Sequence, residues 1–213
     1  MQLITIKGFS KTGKTTTVTS LVAELRRRGY SVGTAKDIHF EGYETDTPGT
    51  DTYPHAKAGA RRVTARGNHG TAIMVDRKMT IDEILKYYKE DFVILEGDFG
   101  LSCPTIITGK NTDDIDKRMC PEAIAISGII SNDMKEYKGL PIINGITEVE
   151  KMADMVEKKK KMVDGDFDVE LTIDGEEIFM VPFVKATVKN VVVGAVKALD
   201  GYEEGKEIII KIK

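Results

Sequence analysis

Cysteine is nearly absent: Cys103 and Cys120 are the only two in 213 residues. Two lone thiols make no disulfide framework, and their scarcity fits a reducing cytoplasm. Long apolar runs are missing too, so no stretch reads as a membrane-crossing helix. Nor is there a large excess of one charge. Thirty-one Lys and Arg stand against 34 Asp and Glu, a net charge of −3, which gives no general attraction for nucleic acid or an anionic membrane. The opening MQLITIKGFS has no long apolar core or cleavage site and reads as a strand, not a signal peptide. What is present is 41% hydrophobic and 31% charged residues, the composition of a soluble globular chain with material for a core. The expectation is a cytoplasmic α/β protein of one large domain, or one domain with a small appendage.

The strongest motif runs from an apolar strand, Leu3 to Ile6, into Gly8-x-x-x-x-Gly13-Lys14-Thr15 and then a helical pattern. Val18, Leu21, Val22 and Leu25 recur at helical spacing, and Gly29 supplies a C-terminal cap. This strand, loop and helix form the context of a phosphate-binding P-loop. Glycines let backbone N–H groups turn inward around a phosphate at the positive end of a helix. Lys14 would reach the β- and γ-phosphates, and the Thr15 hydroxyl would hold Mg2+. Lys11 adds a second positive charge, as a phosphate contact or as a solvated loop residue.

Strand and helix patterns then alternate. Tyr30 to Asp37, RRVTARG, TAIMVD, DFVILEGD, EAIAISGIIS and LPII read as strands. TIDEILKYYKE reads as a helix capped by Thr80 and Glu83, and TEVEKMADMVEKKKK as one with Val149, Met152 and Val156 on one face. Such alternation predicts a largely parallel sheet covered on both faces, with ligands beyond the strand carboxyl ends. Glu96 ends an apolar strand there, in the place of a Walker-B acid. Between the second and third strands lies ETDTPGTDTYPHAKAGA, Glu44 to Ala60, polar and rich in turn residues. Asp46, Asp51 and Thr52 offer hard oxygens for Mg2+ or its waters, and Pro48-Gly49 marks a turn that folds the two acids together. A polar loop on the same edge as a P-loop suits a nucleotide-dependent switch.

After residue 163 the pattern changes. FDVELTIDGEEIFMVPF reads as two short strands around Asp174-Gly175. A helix with Val184, Val188, Val191, Ala195 and Leu199 on one face follows, and KEIIIKIK, Lys206 to Lys213, reads as a final strand. The boundaries expected are 1–163 for the main domain and 164–213 for a small α+β unit, which is marginal alone and should pack on the first domain or a second subunit. The run Lys158 to Lys161 reads as a solvated helix end, or alternatively as steering for a phosphate-rich substrate. Cys103 and Cys120 stand too far apart for a zinc pair and read as small apolar side chains, or as thiol contacts to a bound metal-containing cofactor. His39 and His55 read as solvated or phosphate-contacting. Asn132 and Asp133 stand where a guanine-reading pair could sit, without a full Asn-Lys-x-Asp motif.

Several of these strings together resemble the molybdopterin-guanine dinucleotide biosynthesis protein B family, MobB. They are GFSKTGKTT, Lys36-Asp37-Ile38-His39, TDTPGTDTYPHAKAGA and DFVILEGDF. That family's pattern, G-x-S-x-x-G-K-T-T, a lysine ending the second strand, D-x-x-G-x-D-[ST]…A-G-A and E-G-[FY], falls on Gly8 to Thr16, Lys36, Asp46 to Ala60 and Glu96-Gly97. The match is close over roughly the first hundred residues and loose beyond. The resemblance implies a P-loop NTPase fold and a dimeric, slow GTPase that uses GTP and Mg2+. Such a protein would assist guanylation of molybdopterin beside the nucleotidyltransferase MobA, with molybdopterin or its guanylated form as ligand. On that reading Gly8, Ser10, Lys11, Thr12, Gly13, Lys14, Thr15 and Thr16 hold phosphates. Thr15, Asp51 and Glu96 hold the metal, and Lys14, Asp51 and Glu96 are catalytic. Two departures add acid near the phosphates: Asp37 where the family commonly has histidine, and Asp98 before the aromatic Phe99. Two other readings stay open, a P-loop kinase of a small metabolite using Asp37 or Asp98 as base, and a nucleotide-gated metallochaperone.

Overall fold

The computed structural model describes residues 1–40, 42–163, 169–180, 182–197, 199 and 208–209. Strand β1 (Gln2–Gly8) leads through the Gly8 to Gly13 loop into α1 (Lys14–Arg27) and β2 (Val32–Lys36). A long loop with the short helix α2 (Tyr53–Lys57) connects to β3 (Arg62–Arg66), β4 (Thr71–Val75) and α3 (Ile81–Leu85). Then come β5 (Phe92–Glu96), β6 (Thr105–Thr108), α4 (Thr112–Asp116), β7 (Ala123–Ser127) and a 3-10 turn (Ile129–Asn132). The pair β8 (Glu136–Tyr137) and β9 (Leu140–Pro141), the helix α5 (Val149–Val163), the pair β10 (Thr172–Ile173) and β11 (Glu176–Glu177), and α6 (Pro182–Val196) complete the order. No described helix is long and apolar enough to cross a membrane.

The main sheet has five strands in the order β2-β5-β1-β6-β7, and each neighbouring pair is parallel. Alternate residues face opposite sides, and both sides are covered. Ile4, Ile6, Phe92, Ile94 and Ile106 pack with Leu21 and Leu25 of α1 and with Met152 and Val156 of α5. Leu3, Val93 and Leu95 pack on the other face with Leu85 of α3 and Cys103. Burial on both faces explains why the central strands are continuous apolar runs. All five carboxyl ends lie at one edge, and β1 brings the phosphate-loop motif to its middle.

Several expectations need correction. RRVTARG and TAIMVD are strands, but they pair antiparallel as a separate hairpin outside the main sheet. LPII contributes β9 to a second small hairpin, and Ile142 and Ile143 meet the main sheet at Ile126, by a bridge and by the Ile143 N–H donating to the Ile126 carbonyl at 2.8 Å. The helix at TIDEILKYYKE has the expected capping box of Thr80 and Glu83 but stops at Leu85. Beyond it Tyr88 donates its hydroxyl to the Thr34 carbonyl at 2.6 Å, and a Cβ on Gly33 would meet its ring. On α6, Val184 and Val191 are exposed, as is Leu199 beyond its end. The expected terminal strand lies outside the described residues but for Ile208 and Ile209, as do the side chains of Lys159 to Lys161.

Helices α1 and α5 are joined by charge as well as by packing. Glu24, 6% exposed, accepts from Arg27 at 2.7 Å and from Arg28 at 2.6 Å. Arg28 also reaches Asp154 at 2.7 Å and Glu157 at 3.2 Å on α5. Hydrogen bonds from Arg27, then Arg28, hold the Glu24 carboxyl down at about 2, against an ordinary 4.5. A carboxyl depressed on folding stabilises above its unfolded pKa, and that contribution fades as pH falls through the folded value. Glu24→Gln should therefore lower the urea midpoint at pH 7, and its deficit should shrink between pH 4.5 and about 2. Unfolding curves of both proteins across that range check this.

Candidate functional site

The loop after β1 is shaped for an anion by its own backbone. Lys11 (φ 59°) and Gly13 (φ 100°) adopt left-handed conformations, which turns successive N–H groups toward one concavity before α1 begins. The Lys14 ammonium folds over the loop and donates to the carbonyls of Gly8 at 3.0 Å and Phe9 at 2.5 Å. Burial pushes this ammonium down, Glu96 raises it in part, and Lys36 and Arg118 lower it further. Ser10, Lys11 and Thr16 are exposed, Ser10 and Lys11 at the tip of the loop and Thr16 on the first turn of α1.

Thr12 is fully buried and anchors the loop. Its hydroxyl meets Thr108 Oγ1 at 2.8 Å and the Phe9 carbonyl at 2.9 Å. A Cβ on Gly8 would fall on the Thr108 side chain, one on Gly13 would stand 3.2 Å from Gly128 Cα, and one on Gly128 would fall on the Thr12 carbonyl. The ends of β6 and β7 therefore seat the loop, with the Ile129 N–H donating to the Thr12 carbonyl at 3.3 Å. On the other side the Arg118 guanidinium stacks on the Phe9 ring at 4.4 Å, and its Nε has no hydrogen-bond partner among the described residues.

Glu96 ends β5 beside this loop and is 6% exposed. The Thr15 hydroxyl donates to Glu96 Oε1 at 2.8 Å, and the Lys36 ammonium lies 3.0 Å from the same oxygen. A hydroxyl and a carboxylate are hard oxygen donors, and Mg2+ takes few protein ligands because phosphate and water fill the rest of its octahedron. The pair fits that ion. Asp51 does not join it. Thr50 turns back to Asp46, its hydroxyl donating to Asp46 Oδ1 at 2.6 Å, and Asp51 is left exposed with no hydrogen bond to Thr15 or Glu96 among the described residues.

The two additional acids are both paired. Asp37 faces His39 at 3.1 Å and Lys78 at 3.8 Å, and Asp98 faces Lys7 at 3.0 Å. Burial raises the Asp98 carboxyl, but Lys7 and the Gly100 N–H outweigh it and hold it low. Cys103 is buried with its sulfur 3.0 Å from Thr5 Oγ1, and burial pushes the thiol up, so it is not poised to ligate. Asn132 Oδ1 accepts from the Asn144 amide at 3.3 Å. Beside the phosphate loop a groove of about 890 Å3 opens between the loop after β2, the β3-β4 hairpin and α3, with Lys36, Asp37, Asp46, Tyr53 and Asp98 among its walls.

Sequence reading groups Lys14, Thr15, Asp51 and Glu96 as one cluster, and of these Asp51 stands apart, exposed on the loop after β2. It misses the ion pair of Lys36 and the stacking of Arg118, whose partners are distant in the chain, and the seat formed by Thr108 and Gly128. That seat is testable. Gly128→Ala, at φ 89° and against the Thr12 carbonyl, should cost about 2–4 kcal/mol of stability. Gly49→Ala, at φ 97° with nothing within 4 Å, should cost only about 1–2 kcal/mol. Urea unfolding of both variants measures the difference.

The family model described as molybdopterin guanine dinucleotide synthesis protein B, MobB, matches residues 3–129. Over 240 aligned positions the chain is 25% identical to a Methanocaldococcus jannaschii protein described as a putative molybdopterin-guanine dinucleotide biosynthesis adapter protein, covering all of this chain and 97% of that one. A Bacillus subtilis protein described as a probable adapter of the same kind is 26% identical over 148 residues, covering 67% of this chain and 84% of that one. Crystallised Bacillus subtilis MobB superposes with a TM-score of 0.62 at 24% identity, over 75% of this chain and 98% of that one. A MobB homologue from Bacillus stearothermophilus gives 0.58 at 17% identity, over 76% and 99%. At those identities the structures speak for the fold alone, a P-loop α/β fold with a mostly parallel sheet. The family model spans more than half of the sequence, and the chain belongs to the MobB family.

Proposed function

We propose that this protein is a GTP-binding adapter in molybdopterin guanine dinucleotide synthesis, with slow Mg2+-dependent GTP hydrolysis. The observation that carries the reading is the 2.8 Å bond between Thr15 and Glu96 at the mouth of a loop already bent for phosphate. Backbone N–H groups from Gly8 to Thr15 and the Lys14 ammonium would hold the β- and γ-phosphates. Thr15 and Glu96 would hold Mg2+, which when bound offsets charge on the phosphates. Asp51 could enter only if the loop after β2 moved, as a switch loop would. The choice of guanine comes from the family and from the names its members carry. The groove beside Lys36 and Asp37 has room for a pterin-sized ligand, and MobA and a second copy of the chain are the partners this reading implies. Residues 1–163 would form the nucleotide-binding domain and 164–213 an appended unit.

The kinase reading is the weaker one. Of its candidate bases, Asp98 is held low by Lys7 and the Gly100 N–H, and a carboxylate stabilised in that way is a poor proton acceptor, while Asp37 already faces His39 and Lys78.

Calorimetry with GTP, GDP and ATP, with and without Mg2+, tests the proposal. Lys14→Ala should weaken GTP binding about 100-fold or more, because two or more charge-assisted hydrogen bonds to phosphate are lost while circular dichroism stays unchanged. Unchanged affinity would reject the phosphate site. Glu96→Gln should slow GTP turnover about 100-fold and alter affinity far less. Equal turnover by variant and parent would remove Glu96 from catalysis.

A further inference from the structure

Lys36 is the last residue of β2 and lies directly opposite Glu96 in the parallel register. Its ammonium is 3.0 Å from Glu96 Oε1 and 3.5 Å from Thr15 Oγ1. A positive group of the chain itself thus stands against the two oxygens that the nucleotide reading gives to Mg2+. The Glu96 side chain is 8% exposed and that of Lys36 54% exposed. A carboxylate so buried requires a countercharge. Lys14 acts on Glu96 only through space, since the Gly8 and Phe9 carbonyls hold its ammonium, and Lys36 is the cation in contact. The Lys36 head sits at the end of a flexible stem with solvent on one side, so it can exchange partners without disturbing the core. Oε1 has no room for this ammonium and a divalent cation together, because repulsion between them at such a separation is strong.

We propose that Lys36 is a displaceable internal cation at the metal position. It neutralises Glu96 while no nucleotide is bound, and it moves to the terminal phosphate when Mg2+ enters with a nucleoside triphosphate. The proposal rests on the nucleotide reading above. The Lys36 ammonium also acts electrostatically on Lys14, the lysine of the phosphate loop. Metal alone must compete with a tethered cation and binds weakly. Metal carried by a triphosphate wins, because the phosphate offers the displaced ammonium a new partner. Loss of Lys36 therefore has two opposite effects. Glu96 becomes free for the metal, and the preference for triphosphate over diphosphate declines. A lysine that only stabilised the fold would change neither.

Calorimetric titration of GTP and GDP over a range of Mg2+ concentrations, on the parent, Lys36→Met and Lys36→Arg, separates the cases. In Lys36→Met the Mg2+ concentration giving half of the maximal GTP affinity should fall about fivefold, and the ratio of GTP to GDP affinity about tenfold. Lys36→Arg should recover most of that ratio. A Lys36→Met protein with the parent's Mg2+ midpoint and affinity ratio would overturn the proposal. A parent that binds no nucleoside triphosphate would instead overturn the nucleotide reading beneath it. Should the methionine variant not fold, NMR of the parent labelled at its lysine side chains gives the answer. The Lys36 signal should lose its contact with Glu96 on addition of Mg2+ and a non-hydrolysable GTP analogue, and a contact retained through saturation would reject the displacement.

Discussion

Glu96 follows four side chains with no exposure, Phe92, Val93, Ile94 and Leu95, and is itself nearly buried. A strand of that kind belongs in the middle of a doubly covered sheet, and the sheet delivers the carboxylate to its edge with little water around it. There the Thr15 hydroxyl and the Lys36 ammonium meet the same carboxylate oxygen. Both partners come from other elements, Thr15 from the first turn of α1 and Lys36 from the end of β2. One buried charge thereby fixes the relation of helix, strand and loop. An apolar residue in its place would pack well but leave the Thr15 hydroxyl without a carboxylate beside it.

The second constraint is steric. A loop that wraps a phosphate with its backbone has few side chains to hold it, so its conformation must be held from below. Thr12 provides the anchor, and Thr108 and Gly128, from the ends of β6 and β7, provide the floor. Glycine at 8, 13 and 128 lets three backbone segments approach more closely than any side chain would permit. The strand order places β6 beside β1, which is why a residue nearly one hundred positions along the chain meets the loop.

Much of this was legible in the sequence because it is local. The strand, loop and helix around Gly8 to Thr15, the capping box at Thr80 and Glu83, and the apolar strand ending at Glu96 each depend on residues close in the chain. Strand β6 was not legible. Thr105 to Thr108 is four residues long, follows a proline, and has no polar alternation because it is buried on both faces. The β3-β4 hairpin was read as two strands but not as a separate sheet, since pairing partners are set by tertiary packing and not by pattern. The acids at 37 and 98 looked like excess negative charge near the phosphates. Apart from His39, two residues beyond Asp37, their partners Lys78 and Lys7 sit on other segments, so these ion pairs could not be read from spacing.

The polar loop after β2 gains its meaning from where it starts. Lys36 ends β2 and Asp37 opens the loop, and the Asp37 N–H donates to the Glu96 carbonyl at 3.0 Å. The loop root is thus bound to β5 twice, once by backbone and once by the Lys36 ion pair. Further along, Asp46 is held by the Thr47 N–H and the Thr50 hydroxyl, contacts within the loop itself. The stretch from Glu44 to Ala60 buries no side chain, so its placement depends on few forces besides the fixed root and the Asp46 turn. Lys36, Asp37 and Asp46 also line the groove beside the site. A change in the Lys36 partner would act at the anchored end of a weakly held segment that forms one wall of that groove. Phosphate site and groove therefore share the Lys36 side chain, beside the backbone tie of Asp37 to Glu96 and the pairing of Asp98 with Lys7.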